Sequence, residues 1–201
     1  DSLLLGMEEA FRGIKKVEAP RNWSRVQVKL GKRPAVLRLS ALFGDEGVMD
    51  DFAELAVDAD LSSEVRRGAL QALIDARSPN LRKLCMDLLA DGELNLWAAR
   101  GLGKFEDPEI GKSLATGYAS FRKEDRSELI GLLCGRSEWA ESLLEGVESG
   151  RIPSSAITAF HARQILALKS PELEKKLEKA WGQIRATPEI MVKRRDDLEQ
   201  E

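Results

Sequence analysis

Apolar side chains recur every three or four residues along most of the chain, a spacing that predicts amphipathic helices. Two such faces are formed by Val65, Ala69, Ala72 and Leu73 and by Leu81, Leu84 and Leu88. Small residues stand beside large ones on these faces, which favours close approach of neighbouring helices. Aromatic residues make up only 5% of the chain, whereas strands select aromatic and β-branched residues. The pattern therefore predicts an all-α protein.

The predicted helices are separated by turns of one recurring type. A capping residue stands directly before proline at Ser78-Pro79, Asp107-Pro108 and Ser170-Pro171. Ser137-Glu138 keeps the predicted cap without proline, and Thr187-Pro188 repeats the full device near the C-terminus. The side-chain oxygen accepts a hydrogen bond from a free N–H of the new helix, and proline suits the first helical position. The first two prolines of the series are 29 residues apart, a period typical of stacked two-helix repeats.

This period sets the expected organisation of the chain. A single two-helix unit cannot bury its apolar face, so such units stack and share a continuous core. We predict an α-α superhelix, a solenoid of about five helical hairpins. Residues 1–33 are expected to form N-terminal capping helices, residues 34–182 the repeat array, and residues 183–201 a charged C-terminal helix or linker.

Charge and hydropathy argue against two classes of partner. The formal net charge is −3, whereas nucleic-acid-binding proteins usually carry a basic surplus. No apolar run approaches the length of about 18 residues that spans a membrane. The N-terminal sequence DSLLLGMEEAF also lacks the basic region of a signal peptide. We therefore expect neither nucleic acid nor a membrane as a partner of this segment.

The residues that usually carry chemistry form no catalytic, cofactor-binding or metal-binding pattern. Cys85 and Cys134 lie within apolar helical patterns, where a small buried hydrophobe is expected. His161 is the only histidine and shares its helical face with apolar residues, so we interpret it as a packed structural side chain. The acidic residues around GVM at 47–49 lack the spacing of a calcium loop, and Gly-Leu-Gly at 101–103 follows a helix rather than a strand.

Three residues are candidates for contacts with another domain. Arg163 and Gln164 interrupt an otherwise apolar helix, which indicates either hydrogen bonds to a neighbouring repeat or a contact with a flanking domain. Trp23 is placed in an N-terminal loop, where it is expected to be exposed. The other tryptophans, Trp97, Trp139 and Trp181, are interpreted as core residues between repeats rather than as a ligand cage.

The repeats resemble HEAT repeats, particularly the short bacterial kind. The sequence EVRRGALQALIDARSPNLRKLCMDLLAD at 64–91 is close to the typical pattern of that family. The resemblance covers about 150 residues and is specific for fold, but a fold of this kind serves many functions.

A second resemblance covers nearly the whole chain. The segments LLLGMEEAFRG, ALFGD, RSEWAESLLEGVESGRIP, FHARQILAL and AWGQIRATPE occur in that order. They are similar to the helical middle region of large exported proteins of planctomycetes. Those proteins place a β-propeller resembling sugar dehydrogenases before this region and a c-type cytochrome domain after it. The resemblance implies a periplasmic or exported location and haem c elsewhere in the parent protein.

The chain departs from that parent in one respect that affects function. It contains no Cys-x-x-Cys-His, so it has no thioether attachment site for haem. We therefore expect a non-catalytic scaffold that contacts a protein partner or the flanking domains of the same chain. The alternative is a DNA glycosylase of the HEAT-like kind or another nucleic-acid-binding solenoid. Four tryptophans fit that alternative loosely, and the net charge of −3 argues against it.

Overall fold

A computed structural model describes residues 2–14, 17–31, 33–45 and 47–182. Within these ranges the chain forms helices, turns and loops and contains no strand, so the predicted all-α class is confirmed. The cap at Thr187-Pro188, the side chain of Trp181 and the expected C-terminal helix at 183–201 lie outside the residues whose structure is described.

Twelve α-helices and two short 3-10 turns follow one another in the described ranges. The helices are α1 (Ser2–Ala10), α2 (Trp23–Leu30), α3 (Pro34–Leu42), α4 (Val48–Val57), α5 (Ser63–Ala76), α6 (Leu81–Leu88), α7 (Asn95–Leu102), α8 (Pro108–Thr116), α9 (Arg126–Leu133), α10 (Ser137–Glu148), α11 (Ala159–Ala167) and α12 (Pro171–Gly182). The 3-10 turns are Tyr118–Ser120 and Ser154–Ala156.

The first of two compact units ends at Gly101. In this unit α4 packs along α5, and α3 contacts α1, α2, α4 and α5. Its core contains Phe52 and Leu70, both fully buried, together with Leu39 and Leu73. Arg66 is also buried and donates from Nε to the carbonyl oxygen of Ala56 at 3.2 Å and from Nη2 to Asp91 Oδ2 at 2.5 Å. This arginine therefore ties the end of α4 to the loop that follows α6.

The second unit begins at Leu102 and is built around α10, which packs against α8 on one side and α12 on another. The contact with α8 depends on Gly111. A β-carbon at this position would lie 2.8 Å from the Cα atom of Trp139 and 2.7 Å from its Cδ1 atom. Trp139 is buried, and its indole nitrogen donates to the backbone oxygen of Asp107 at 2.9 Å. The absent side chain at Gly111 thus lets the two helices meet closely.

Of the four predicted side-chain caps that fall within the described residues, two are present and two are absent. Asp107 accepts a hydrogen bond from the backbone N–H of Glu109 at 2.9 Å, and Ser170 accepts one from Leu173 at 3.4 Å. At Ser78-Pro79 the prediction is wrong, because α6 begins only at Leu81 and has no side-chain cap. At Ser137 it is also wrong, because Ser137 is already the first helical residue and the capping position belongs to Arg136.

Candidate functional site

The structure separates the three predicted contact residues. Arg163 and Gln164 lie side by side on α11 in the second unit, with Arg163 exposed and Gln164 half-buried. Trp23 belongs to the first unit and begins α2. The candidate contact residues therefore belong to two surfaces, one at α1 and α2 and one at α11.

Trp23 is not an exposed loop residue, so that expectation is wrong. Its side chain is only 6% exposed, and its indole nitrogen donates to Ser40 Oγ at 2.8 Å. The ring meets Phe43 edge to face, with 4.8 Å between the ring centroids. A tryptophan can be buried in this way because the neighbouring serine satisfies its only polar atom. Trp23 thus ties α2 to α3 through Ser40 and Phe43.

An apolar groove opens between α1 and α2 beside Trp23. We call it the N-terminal groove; it has a volume of about 540 Å³. Its apolar lining comes from both helices and from Pro20 in the loop before α2; the helical residues are Leu3, Leu4, Met7, Trp23, Val26 and Leu30. Leu4 forms the buried floor, whereas Leu3 is 77% exposed at the edge. An isolated exposed leucine is ordinary, but an exposed leucine that continues an apolar groove marks a candidate contact surface.

Hydrogen bonds to α3 and to the loop after it hold the α2 wall of this groove in place. Gln27 Nε2 donates to Ser40 Oγ at 3.0 Å and to Asp45 Oδ2 at 2.7 Å. The same Ser40 hydroxyl accepts the indole N–H of Trp23, so one buried serine fixes two residues of α2. The groove is therefore preformed, which reduces the entropy that a ligand loses on binding.

Among the described residues, the charged side chains that line the N-terminal groove are both basic. Lys29 and Arg33 are the charged residues that line it. Residues 21–33 contain five basic residues and no acidic residue, in a chain whose net charge is −3. Arg25 and Lys29 are exposed and lie one helical turn apart on α2. This segment is a local cationic surface on an otherwise acidic protein.

The face of α11 is the second candidate surface. Phe160 is 59% exposed and Leu166 is 46% exposed, with the exposed Arg163 between them in sequence. Gln164 Oε1 is buried and accepts no hydrogen bond from the residues that the structure describes. The predicted hydrogen bonds to carbonyl oxygens of a neighbouring repeat would come from nitrogen donors, so this oxygen does not test that prediction.

His161 has a structural role at the start of α11. It is 4% exposed and forms a capping box with Thr158. The His161 backbone N–H donates to Thr158 Oγ1 at 3.3 Å, and the Thr158 N–H donates to His161 Nδ1 at 3.4 Å. These two bonds satisfy backbone donors that the first turn of a helix leaves free. His161 is thus buried, as expected for a packed histidine.

A third concave region lies between α10 and α12, and two of its lysines, Lys176 and Lys179, form ion pairs with glutamates of α10. Its volume is about 280 Å³, and Leu144, Val147 and Ala180 line it together with charged residues. Lys176 Nζ donates to Glu141 Oε1 at 2.6 Å and to Glu145 Oε1 at 3.3 Å. The bond to Glu141 and its charge raise the pKa of Lys176 despite partial desolvation. These ion pairs join the two helices across the groove.

The cysteine thiols of the described chain are buried. Cys85 and Cys134 are free thiols, and burial raises the pKa of each to about 12. Each is therefore a neutral thiol near pH 7, as expected for a cysteine used in packing. No group of three or more His, Cys, Asp or Glu side chains in the described ranges is arranged to hold a metal ion.

Comparisons with known proteins give this chain no relatives: no family model, no curated protein and no solved structure matches it. Among the described helices, none is both long enough and apolar enough to span a membrane.

Sequence reasoning missed the N-terminal groove, although its signals are present. The run of three leucines at 3–5 and the acid-free basic segment at 21–33 are both visible in the sequence. The net charge of the whole chain, which is negative, gave no sign of the basic segment. The groove could not be predicted because it forms only when α1 and α2 lie side by side on α3. Local charge, counted by segment, is the signal that finds this surface.

Proposed function

We propose that this chain is a non-catalytic helical-repeat scaffold of the HEAT type. Within the first unit its hairpins would be α3 with α4 and α5 with α6, and within the second unit α9 with α10 and α11 with α12. The alternate helices α8, α10 and α12 pack in one series, and α3 likewise contacts α5. Contact between every second helix is expected when hairpins stack in the same orientation, so this packing supports the proposal.

The observation that carries the binding role is the position of the exposed apolar side chains. Among the described residues, the large apolar side chains more than half exposed are Leu3, Leu5, Val28, Val57 and Phe160. Of these, Leu3 lines the N-terminal groove together with the partly buried Met7, Val26 and Leu30, so this exposed leucine and the groove form one apolar surface. Contiguous exposed apolar surface on a folded domain is typical of a site that another protein covers.

We further propose that the scaffold belongs to a larger exported protein, between a dehydrogenase-like propeller and a c-type cytochrome. The support is the ordered sequence resemblance along nearly the whole chain. In such a protein the helical array holds the redox centre within electron-transfer reach of the catalytic domain. The scaffold acts by geometry, and the flanking domains carry the chemistry.

The test is the absorption spectrum of the complete product of the gene, expressed in a host that attaches haem c. A Soret band and an α-band that change on adding dithionite are expected. The 201-residue chain, expressed in the same host, serves as the matched control and should show neither band. Absence of haem from the complete product, in a host that matures a known cytochrome, would overturn the electron-transfer assignment and leave a free-standing binding scaffold.

A further inference from the structure

The N-terminal groove combines an apolar floor, a cationic rim and a fixed wall. From this combination we infer that it binds an acidic amphipathic helix of a partner protein or domain. This inference rests on the proposed scaffold function and names the surface and the chemistry of its partner. Each feature contributes one requirement for the occupant.

The apolar floor requires an apolar stripe on the occupant. Leu3 and Met7 from α1 and Val26 and Leu30 from α2 face the groove along its length. The two helices have 9 and 8 residues, which corresponds to a groove about 12 Å long, or roughly two turns of a bound helix. A helix presents apolar residues at positions i, i+3, i+4 and i+7 to a groove of this kind.

The cationic rim requires acidic residues beside that stripe. Lys29 and Arg33 stand at the groove, and the exposed Arg25 lies one turn from Lys29 on α2. Complementary charges speed association and fix the orientation of the bound helix. A nucleic acid or an anionic lipid surface would also meet the positive charge, but an apolar groove between two helices matches a leucine-bearing peptide better than a phosphate backbone.

The fixed wall argues for a receptor that is formed before binding. Ser40 accepts hydrogen bonds from both Trp23 and Gln27, so α2 is tied to α3 without a ligand. Substitutions on the exposed side of α2 should therefore change binding without unfolding the groove. This separates the binding test from stability.

The experiment measures fluorescence anisotropy of a labelled, stapled two-heptad peptide against the full 201-residue chain. The probe carries leucine at positions a and d of each heptad and glutamate elsewhere, and its matched control has lysine in place of every glutamate. The glutamate peptide should bind at least about tenfold more tightly than the lysine peptide. Its affinity should fall as salt rises from about 50 to about 300 mM.

Paired protein variants locate the site. Arg25→Glu with Lys29→Glu should weaken the glutamate peptide about tenfold or more and improve binding of the lysine peptide. Lys83→Glu with Lys123→Glu makes the same charge change at exposed positions elsewhere and should change affinity less than about twofold. Leu3→Ser should weaken binding about fivefold, whereas Leu5→Ser, on a leucine outside the groove, should leave it unchanged. Circular dichroism verifies that each variant is folded.

Several results would overturn the inference. Equal binding of both peptides, or binding that the Arg25 and Lys29 variant leaves intact, would exclude this groove as the receptor. If the chain binds phosphatidylserine vesicles or duplex DNA but not the glutamate peptide, the ligand of the groove is a lipid surface or a nucleic acid and the inference is wrong. A dimer that the same variant dissociates would make a second copy the occupant. If haem is found in the complete gene product but the glutamate peptide does not bind, the scaffold proposal is retained and the binding site at the N-terminal groove is rejected. If the peptide binds but the complete product contains no haem, only the proposed parent protein is rejected.

Discussion

At the scale of single residues, Gly111 gives the sharpest test of the packing between α8 and α10. We predict that Gly111→Ala lowers the free energy of unfolding by about 1–3 kcal/mol, because the new methyl group meets the backbone of Trp139 as well as its ring. Helix propensity alone would favour alanine by about 1 kcal/mol, so the sign of the change identifies the clash. Urea unfolding followed by circular dichroism measures it.

Gly131→Ala is the matched control for this substitution. Gly131 also lies inside a helix of the second unit, α9, and a β-carbon added there would meet no atom within 4 Å. We expect this change to be neutral or to stabilise the chain by up to about 1 kcal/mol. Equal effects of the two substitutions would contradict the close packing at Gly111.

The ion pair between Arg66 and Asp91 predicts a pH dependence in the first unit. Partial burial raises the pKa of Asp91, but hydrogen bonds from the Glu93 N–H and from Arg66 outweigh it and leave the pKa lowered. A carboxyl group with a lowered folded-state pKa stabilises the fold above its unfolded pKa of about 3.9, and this contribution is lost as pH falls through the folded value. The stabilisation is therefore present at pH 7 and disappears in acid.

Asp91→Ala is accordingly expected to lower stability at pH 7 by about 2–4 kcal/mol, because Arg66 loses its partner while it stays buried. The difference in unfolding free energy between the variant and the wild-type chain should shrink below about pH 4, because the wild-type Asp91 carboxylate becomes protonated and loses its charge there. Asp87→Ala removes an exposed aspartate from α6 and should cost less than about 0.5 kcal/mol. A loss at Asp91 that stays constant with pH would mean that charge plays no part in it.

At the scale of elements, the turns before helices show where the capping rule read from the sequence applies in the folded chain. We predict that Asp107→Ala costs about 0.5–2 kcal/mol, because Asp107 caps α8, whereas Ser78→Ala costs less than about 0.5 kcal/mol, because Ser78 caps no helix. Both residues precede proline, so the sequence alone predicts equal losses. Thermal unfolding of the two variants distinguishes the structural account from the sequence rule.

The reason for this difference lies in what precedes each turn. Arg77 adopts the left-handed conformation, with φ of 52°, and the Ser78 N–H donates to the carbonyl oxygen of Leu73 at 3.0 Å. Ser78 is thus used to end α5, and α6 starts three residues later. Five residues separate α7 from α8, and Asp107 stands directly before α8, where its carboxylate accepts the Glu109 N–H. Sequence spacing predicts the turn, but the distance between helices decides the role of each residue in it.

The dependence on contacts between residues distant in sequence also explains which features of the candidate surfaces could be predicted from the sequence. Helical periodicity was enough for the all-α class, because it depends only on neighbours in sequence. Trp23 was misplaced because its burial depends on Ser40 and Phe43, which are 17 and 20 residues away. The N-terminal groove was missed for a related reason, since its two walls come from helices that are separated by a Pro-containing loop.

At the scale of the whole molecule, a hairpin array predicts an unusual response to deletions in the second unit. Removing α9 and α10 together, residues 126–158, would bring α11 and α12 next in sequence to α8, with the alternation of helices preserved. Removing only residues 137–158, which include α10, deletes fewer residues but leaves α9 followed by α11. Repeat units contact mainly their neighbours, so a whole unit can be lost more easily than half of one.

We therefore expect the larger deletion to give a helical chain with cooperative unfolding and a lower midpoint, because α12 can take the place of α10 against α8. The smaller deletion should lose cooperativity, since α8 and α12 both normally pack on α10 and neither finds an equivalent partner. Circular dichroism and urea unfolding compare the two chains at equal concentration. If the smaller deletion is the more stable, the helices of this unit form a single non-repeating core, and the scaffold proposal loses its structural basis.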